Sequence, residues 1–474
     1  MQGFQRRTIL LTLPAASRLL AQAPELPSTP AGLVLGRWLA AVNSGDRAAI
    51  AAYCKQHEPE AGGDHVEMLL GIHAKFGGFD LQRLQHVEAA EITAILRARK
   101  GGEELRFWLQ VEEGDPPVVS GANLGPLNRE EAQPKAQRVS FEEAVRLVDA
   151  HAAAEAAADR FSGALLIARG GNVVLEKAWG FADRESRVSN HVETRFRIGS
   201  MNKMFTAVAT LQLVERRQIE LGGFLGNYLT DYPNREVAGT VTIRHLLTHT
   251  GGTGDIFGPQ FDQHRLQLRT HADYVKLYGE RPLRFWPGSR WAYSNYGFVL
   301  LGAVIERVSG QSYYDFVRKN VYARAGMART GSEPESTQVE GLSKGYLRKE
   351  NTWASNAGTL PWRGTAAGGG YSTVGDLFRF GKALQEGGLI GRGLLDETVS
   401  IQAKAPGPGM GCGYGFIVET GPPPRFGHGG GAPGMNGELF IYPLNGILVA
   451  ALSNFDPPAA SNVARYFADR MPVR

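Results

Sequence analysis

Spacing of apolar residues divides this chain into two stretches of different character. In "LVLGRWLAAVNSGDRAAIAAYCKQH", Leu35, Trp38, Leu39 and Val42 recur at helical spacing and predict a helix that Asn43-Ser44-Gly45 stops. Further on, "EITAILRARKGGEELRFWLQVEE" alternates on both sides of Gly101-Gly102, which predicts a β-hairpin. Helices followed by a curved antiparallel sheet predict a small α+β domain over residues 31–128. Polar "NREEAQPKAQRVS" then reads as a linker at 129–139, and "FEEAVRLVDAHAAAEAAADR" as the helix opening a second domain, 140–474. There, "FSGALLIARGGNVVLEKAWGFAD" predicts two strands joined through Gly170-Gly171, and "GELFIYPLNGILVAALSN" two more around a turn at 443–446. A helix over 459–471 follows. Strands at both ends of the domain with a helical middle predict one sheet assembled from both ends, beside a helical lobe. The fold class expected is an α/β and α+β multidomain protein.

Composition narrows the function classes. Sixty glycines and 43% hydrophobic residues suit a folded chain with many tight loops. A net charge of +4, with the basic residues scattered, argues against a nucleic-acid partner. Cys54 and Cys412 fall in different expected domains and lack metal-site spacing, so they read as packing residues; no metal and no cofactor is expected. Residues 1–23 carry Arg6-Arg7, an apolar run and Ala21-Gln22-Ala23, a small-x-small site. They predict an export signal of twin-arginine type and a periplasmic or extracellular protein. Arg18 interrupts the apolar run, and an amphipathic tail is the other reading. No later stretch has the ~18 apolar residues of a membrane span.

Candidate chemistry lies in the second domain. In "RFRIGSMNKMFTAVATLQLV", Ser200 and Lys203 are three apart on the first turn of a helix whose buried stripe is Met204, Phe205, Val208, Leu211 and Val214. A serine becomes a nucleophile when a base takes its proton, and a lysine serves if burial lowers its pKa. The stretch alone equally fits an ordinary cap and helix. A second feature, "WPGSRWAYSNYGFVLLGAVIERVSG", places Tyr293 and Asn295 before an amphipathic helix, where a phenol can move a proton and an amide can hold a carbonyl. Tyr232-Pro233-Asn234 repeats the pattern but reads as a turn. The third feature is His428, in "RFGHGGGAPG", followed by glycines that permit close backbone approach. His249, near the end of the helix expected over "VTIRHLLTH", reads as structural at the negative end of its dipole.

In this order the three features resemble the serine β-lactamase and penicillin-binding protein superfamily, in its class C β-lactamase, D,D-peptidase and esterase branch. Tyr293 follows Ser200 by 93 residues. "TIRHLLTHTGG", "GMARTG" and "AAGGGYSTVGDLFRFGKAL" add to the likeness, which covers about 140–474; in the last, Thr373 and Asp376 look like a capping pair. The resemblance implies that Ser200 forms an acyl-enzyme, Lys203 is its base and Tyr293 its partner in proton transfer. It implies that Asn295, His428, Gly430 and Gly431 bind substrate, with the N–H groups of Ser200 and Gly431 as oxyanion hole. Where the family usually carries Lys-Thr-Gly or Lys-Ser-Gly, this chain has His428-Gly429-Gly430. A mostly neutral histidine weakens recognition of a substrate carboxylate. The expected activity is hydrolysis of a small ester or amide; a D-stereospecific peptidase, a weak β-lactamase and a non-catalytic ligand binder are the alternatives. Loops 252–290 and 331–365, with Trp286, Trp353 and Trp362, are expected to shape the pocket. The first domain, through "LAAVNSGDRAAI", resembles the nuclear transport factor-like (ketosteroid isomerase-like) family, which implies an accessory or binding module.

Overall fold

The computed structural model describes residues 24–59, 63–112, 114–126, 136–349, 352–405, 407 and 409–473. The expected export signal lies outside the described residues, as does most of the expected linker. The chain divides into two units between Gly125 and Pro126.

In the first unit, helices Pro30–Ser44, Arg47–His57 and Gly63–Phe76 precede four strands: Phe79–Val87, Glu91–Ala98, Glu104–Glu112 and Val118–Pro126. The strands lie side by side in chain order. Thr29 and Asp46 cap the first two helices by accepting from Gly32 and Ala49 N–H groups at 3.1 and 2.8 Å. Trp38 stacks on Phe107 at 4.1 Å within a core of its own.

The second unit is built on an eight-stranded antiparallel sheet. Its order is Ala403–Lys404, Met410–Cys412, Ile417–Glu419, Arg425–Ala432, Met435–Tyr442, Ile447–Ser453, Gly163–Arg169 and Asn172–Trp179, so both ends of the unit meet at Ile447–Ser453. Side chains alternate across it. Leu165, Ile167, Val449 and Ala451 join the helices Phe141–Ala157 and Ala459–Arg470. Their neighbours Leu166, Ala168, Leu448 and Ala450 join the layer holding the helices Asn202–Glu215 and Asn295–Ser309. Layers on both faces explain why these strands read as continuous apolar runs. Helix Asn202–Glu215 is buried on all sides from Asn202 to Leu213, not along one stripe. It lies in the middle of the larger apolar cluster, and its Thr206 and Thr210 hydroxyls and its Gln212 Nε2 donate to backbone carbonyls. Among the described residues, no helix is long and apolar enough to cross a membrane.

Candidate active site

Ser200 sits in the 3-10 turn Gly199–Met201, just before helix Asn202–Glu215, rather than on the helix itself. Gly199 has φ +52°, which a side chain rarely adopts. Strand Arg425–Ala432 pairs with Ile417–Glu419 only through Gly427; beyond it, the strand packs on the serine turn. A Cβ at Gly430 would lie 1.9 Å from the Ile198 carbonyl oxygen. Gly430 is therefore where strand and turn backbones touch. Gly431, one residue on, lines the cavity in front of Ser200.

Lys203 is completely buried and its Nζ has three oxygen neighbours: Ala367 O at 2.5 Å, Asn295 Oδ1 at 2.7 Å and Ser200 Oγ at 3.2 Å. Burial lowers its pKa to about 7, against the opposing pull of the Asp255 carboxylate. A neutral amine has two N–H bonds and one lone pair. The two carbonyl oxygens can only accept, so they take the N–H bonds, and the lone pair is left for the Ser200 hydroxyl. Asn295 cannot reverse this pattern: its Nδ2 donates to both oxygens of Asp255, at 3.1 and 3.0 Å, which holds Oδ1 toward the lysine.

Tyr293 and Asn295 flank Ser294, which caps helix Asn295–Ser309 by accepting from Gly297 N–H at 2.9 Å. The Tyr293 ring centroid lies 4.6 Å from Lys203 Nζ. Burial pushes the phenol well above its ordinary pKa, against a smaller opposing effect of the Ser200 side chain, so it keeps its proton at neutral pH. His249 does not end a helix in the manner expected. Helix Ile243–Leu247 stops earlier, His249 adopts φ +58°, and its ring stacks on Tyr293 at 4.4 Å. Its Nδ1 accepts from Ser294 N–H at 3.1 Å, so it fixes both the ring and the backbone of the Tyr-Ser-Asn step.

The carbonyl that holds Lys203 belongs to the short segment 365–367, which other buried groups tie down. Asn202 donates to Thr365 O, Thr206 donates to Ala366 O, and the Ala366 N–H donates to His271 Nε2 at 3.1 Å. That bond leaves His271 Nδ1 to pair with Glu306 at 3.1 Å.

His428 is buried behind this group. Its Nδ1 lies 2.5 Å from the Gly429 carbonyl, its Nε2 has no protein partner, and its ring is 6.3 Å from that of Tyr293. Burial and the Lys203 charge lower its pKa to about 4. A cavity of about 560 Å³ opens in front of Ser200, with Asn295, Gly431 and Ala432 in its wall; His428 and Gly430 are not among its lining residues. Both expected loops contribute, through Phe257, Phe261, Leu360 and Arg363 among others, but none of the three tryptophans does. Trp353 stacks on Phe455 and donates to Asp159, Trp362 packs under Arg269, and Trp286 is exposed at the surface. Of the lookalikes, Asn234 caps helix Arg235–Thr240 and Tyr232 is buried against Tyr296.

The Beta-lactamase family profile matches residues 147–470. The chain belongs to the Beta-lactamase family. It is similar to penicillin-binding protein 4* of Bacillus subtilis, with 27% identity over 306 residues, covering 60% of this chain and 66% of that protein. Esterase EstB of Burkholderia gladioli is 34% identical over 192 residues, 37% of this chain and 48% of the esterase. The matches span less than two thirds of either curated relative. Among solved structures, a penicillin-binding protein from Bacillus halodurans superposes with a TM-score of 0.62 and 30% identity, over 66% of this chain and 98% of that one. Asp255, His271 and the Ala367 carbonyl were not singled out by motif reading, and His249 was read there as structural only; the signals available were the Thr-Gly-Asp phrase around Asp255 and the Ala-Ala-Gly phrase around Ala367.

Proposed function

We propose that this Beta-lactamase family member is a serine hydrolase that passes the acyl group of a small ester or amide through Ser200. The observation that carries the reading is the Lys203 lone pair, left for Ser200 by two carbonyl partners. Ser200 Oγ attacks the substrate carbonyl carbon and its proton moves to Lys203 Nζ. The oxyanion is met by the N–H groups of Ser200 and Gly431. The leaving alkoxide or amine takes the Tyr293 proton, and Tyr293 is reprotonated from Lys203. Water then attacks the acyl-enzyme, giving its proton to the same neutral lysine, and the acid leaves as Ser200 recovers its hydrogen. His428, held neutral, offers no constant cation to a substrate carboxylate, which favours ester and amide hydrolysis over β-lactam or peptide-terminus hydrolysis. A fluorophosphonate probe and a nitrophenyl ester test this: wild type is labelled and active, and Ser200→Ala is neither. Equal labelling of the two proteins defeats the reading. We also propose that residues 1–23 direct export, which N-terminal sequencing of the secreted protein checks. The first unit is proposed as an accessory binding module.

A further inference from the structure

We propose that the substrate is a neutral ester or amide whose acyl part is apolar and well beyond acetyl in size, seated in the cavity before Ser200. This rests on the serine-hydrolase reading above and adds the substrate class. The cavity, about 560 Å³, is within the range of sites that enclose a drug-sized molecule. An acetyl group would leave most of it to water. Its wall beside Ser200 is apolar: Ile256, Phe261, Leu360 and Met435 are buried, and Phe257 stands at the rim, 63% exposed and edge-on to Phe261 at 5.0 Å.

The charged groups in the wall are Arg265, Arg363 and Asp262, and both arginines are tied to their own chain. Arg265 gives one guanidinium nitrogen to Asp262 O and another to Gly358 O. Arg363 gives Nε to Ser332 O, and its Cζ lies 3.3 Å from the Tyr314 ring centroid. These bonds use two of the five N–H donors of Arg265 and one of those of Arg363. Asp262, exposed in the same wall, offsets one of the two arginine charges. Behind the wall, Lys203 already spends its N–H bonds on Asn295 and Ala367. Hydrophobic transfer remains as the main source of ground-state and transition-state binding for the acyl part.

Nitrophenyl esters from acetate to hexanoate measure this directly, alongside nitrocefin and a D-alanyl-D-alanine peptide. Each methylene is expected to raise kcat/KM by about fourfold, so hexanoate exceeds acetate by on the order of 100-fold. The two carboxylate substrates stay below both esters. Narrowing the cavity by Leu360→Trp lowers the hexanoate-to-acetate ratio at least fivefold. Thr359→Phe, at an exposed lining position, serves the same purpose if the first variant does not fold. A flat chain-length profile with turnover still dependent on Ser200 overturns the substrate class and leaves the hydrolase reading standing, as does preference for either carboxylate substrate. Failure of every substrate, with no labelling of Ser200, overturns the hydrolase reading beneath it.

Discussion

At the scale of single residues, the proposed reaction gives two groups opposite acid–base roles, according to how burial treats their charge. Lysine is charged when protonated, so burial makes the proton easier to lose; tyrosine is charged when deprotonated, so burial makes the proton harder to lose. At neutral pH Lys203 is therefore the group with a free lone pair, and Tyr293 the group with a proton to give. The proposed reaction requires the neutral amine, so kcat/KM should rise tenfold per pH unit below about 7 and level off above it, as a pH profile would show. His428 does not supply that limb: its proton is bound only below about pH 4. The charged and titratable groups facing Lys203 are Asp255, through Asn295, and the rings of Tyr293, His249 and His428. Asp255 stabilises the ammonium form. Asp255→Asn should move the acid limb to lower pH. It should also lower the plateau about tenfold or more, because two facing amides no longer dictate which atom of Asn295 meets the lysine. A purely structural role for Asp255 would lower the plateau and leave the limb in place.

At the scale of elements, the site depends on short segments held by distant ones. Removing His271 leaves the buried Ala366 N–H without its acceptor, at a cost of about 1–3 kcal/mol, and frees the carbonyl that orients Lys203. His271→Ala should lower both the melting temperature and kcat, measured by thermal denaturation and ester hydrolysis, with KM less affected. The glycine strand gives a sharper contrast. A Cβ at Gly430 collides with Ile198 backbone at 1.9 Å, whereas one at Gly429 meets its nearest atom at an ordinary 3.6 Å. Gly430→Ala should therefore cost about 1–3 kcal/mol and at least tenfold in kcat, and Gly429→Ala little of either. These contacts also explain what motif reading could see. Ser200 with Lys203, and Tyr293 with Asn295, are close in sequence, so local backbone alone sets their spacing. Asp255 reaches Asn295 across 40 residues and His271 reaches Ala366 across 95, contacts that only the packed lobe creates. The same limit applies to helices: the stripe on Asn202–Glu215 was legible, but burial of its polar face was not, because that face is covered by segments such as 365–367 and Asn320. His249 looked like a helix end because its neighbours favour helix; its left-handed backbone becomes intelligible only with Tyr293 stacked on it.

At the scale of the whole molecule, the apolar clusters separate by unit. Residues up to Val111, with Val119 and Leu124 packed against them, form one cluster; those from Phe141 onward form two more, on opposite faces of the eight-stranded sheet. The family match also begins inside the second unit, at residue 147. A segment that buries both faces of its sheet with its own helices has the apolar burial an independent domain needs. Residues 136–474 produced alone should therefore fold and keep kcat/KM for a nitrophenyl ester within about twofold of the full chain. The C-terminal end of that segment is a different matter. Helix Ala459–Arg470 buries Val463 and Phe467 against the sheet, and Asn436 accepts from Ala460 and Ser461 N–H groups at 2.7 and 2.9 Å. A chain ending before Ala459 uncovers that face of the sheet, whose strand Arg425–Ala432 packs on the serine turn. It should lose cooperative unfolding and Ser200-dependent turnover together, while removal of the first unit should lose neither. Loss of turnover on removing the first unit, with thermal unfolding of the remainder unchanged, would show instead that this unit takes part in catalysis or substrate capture.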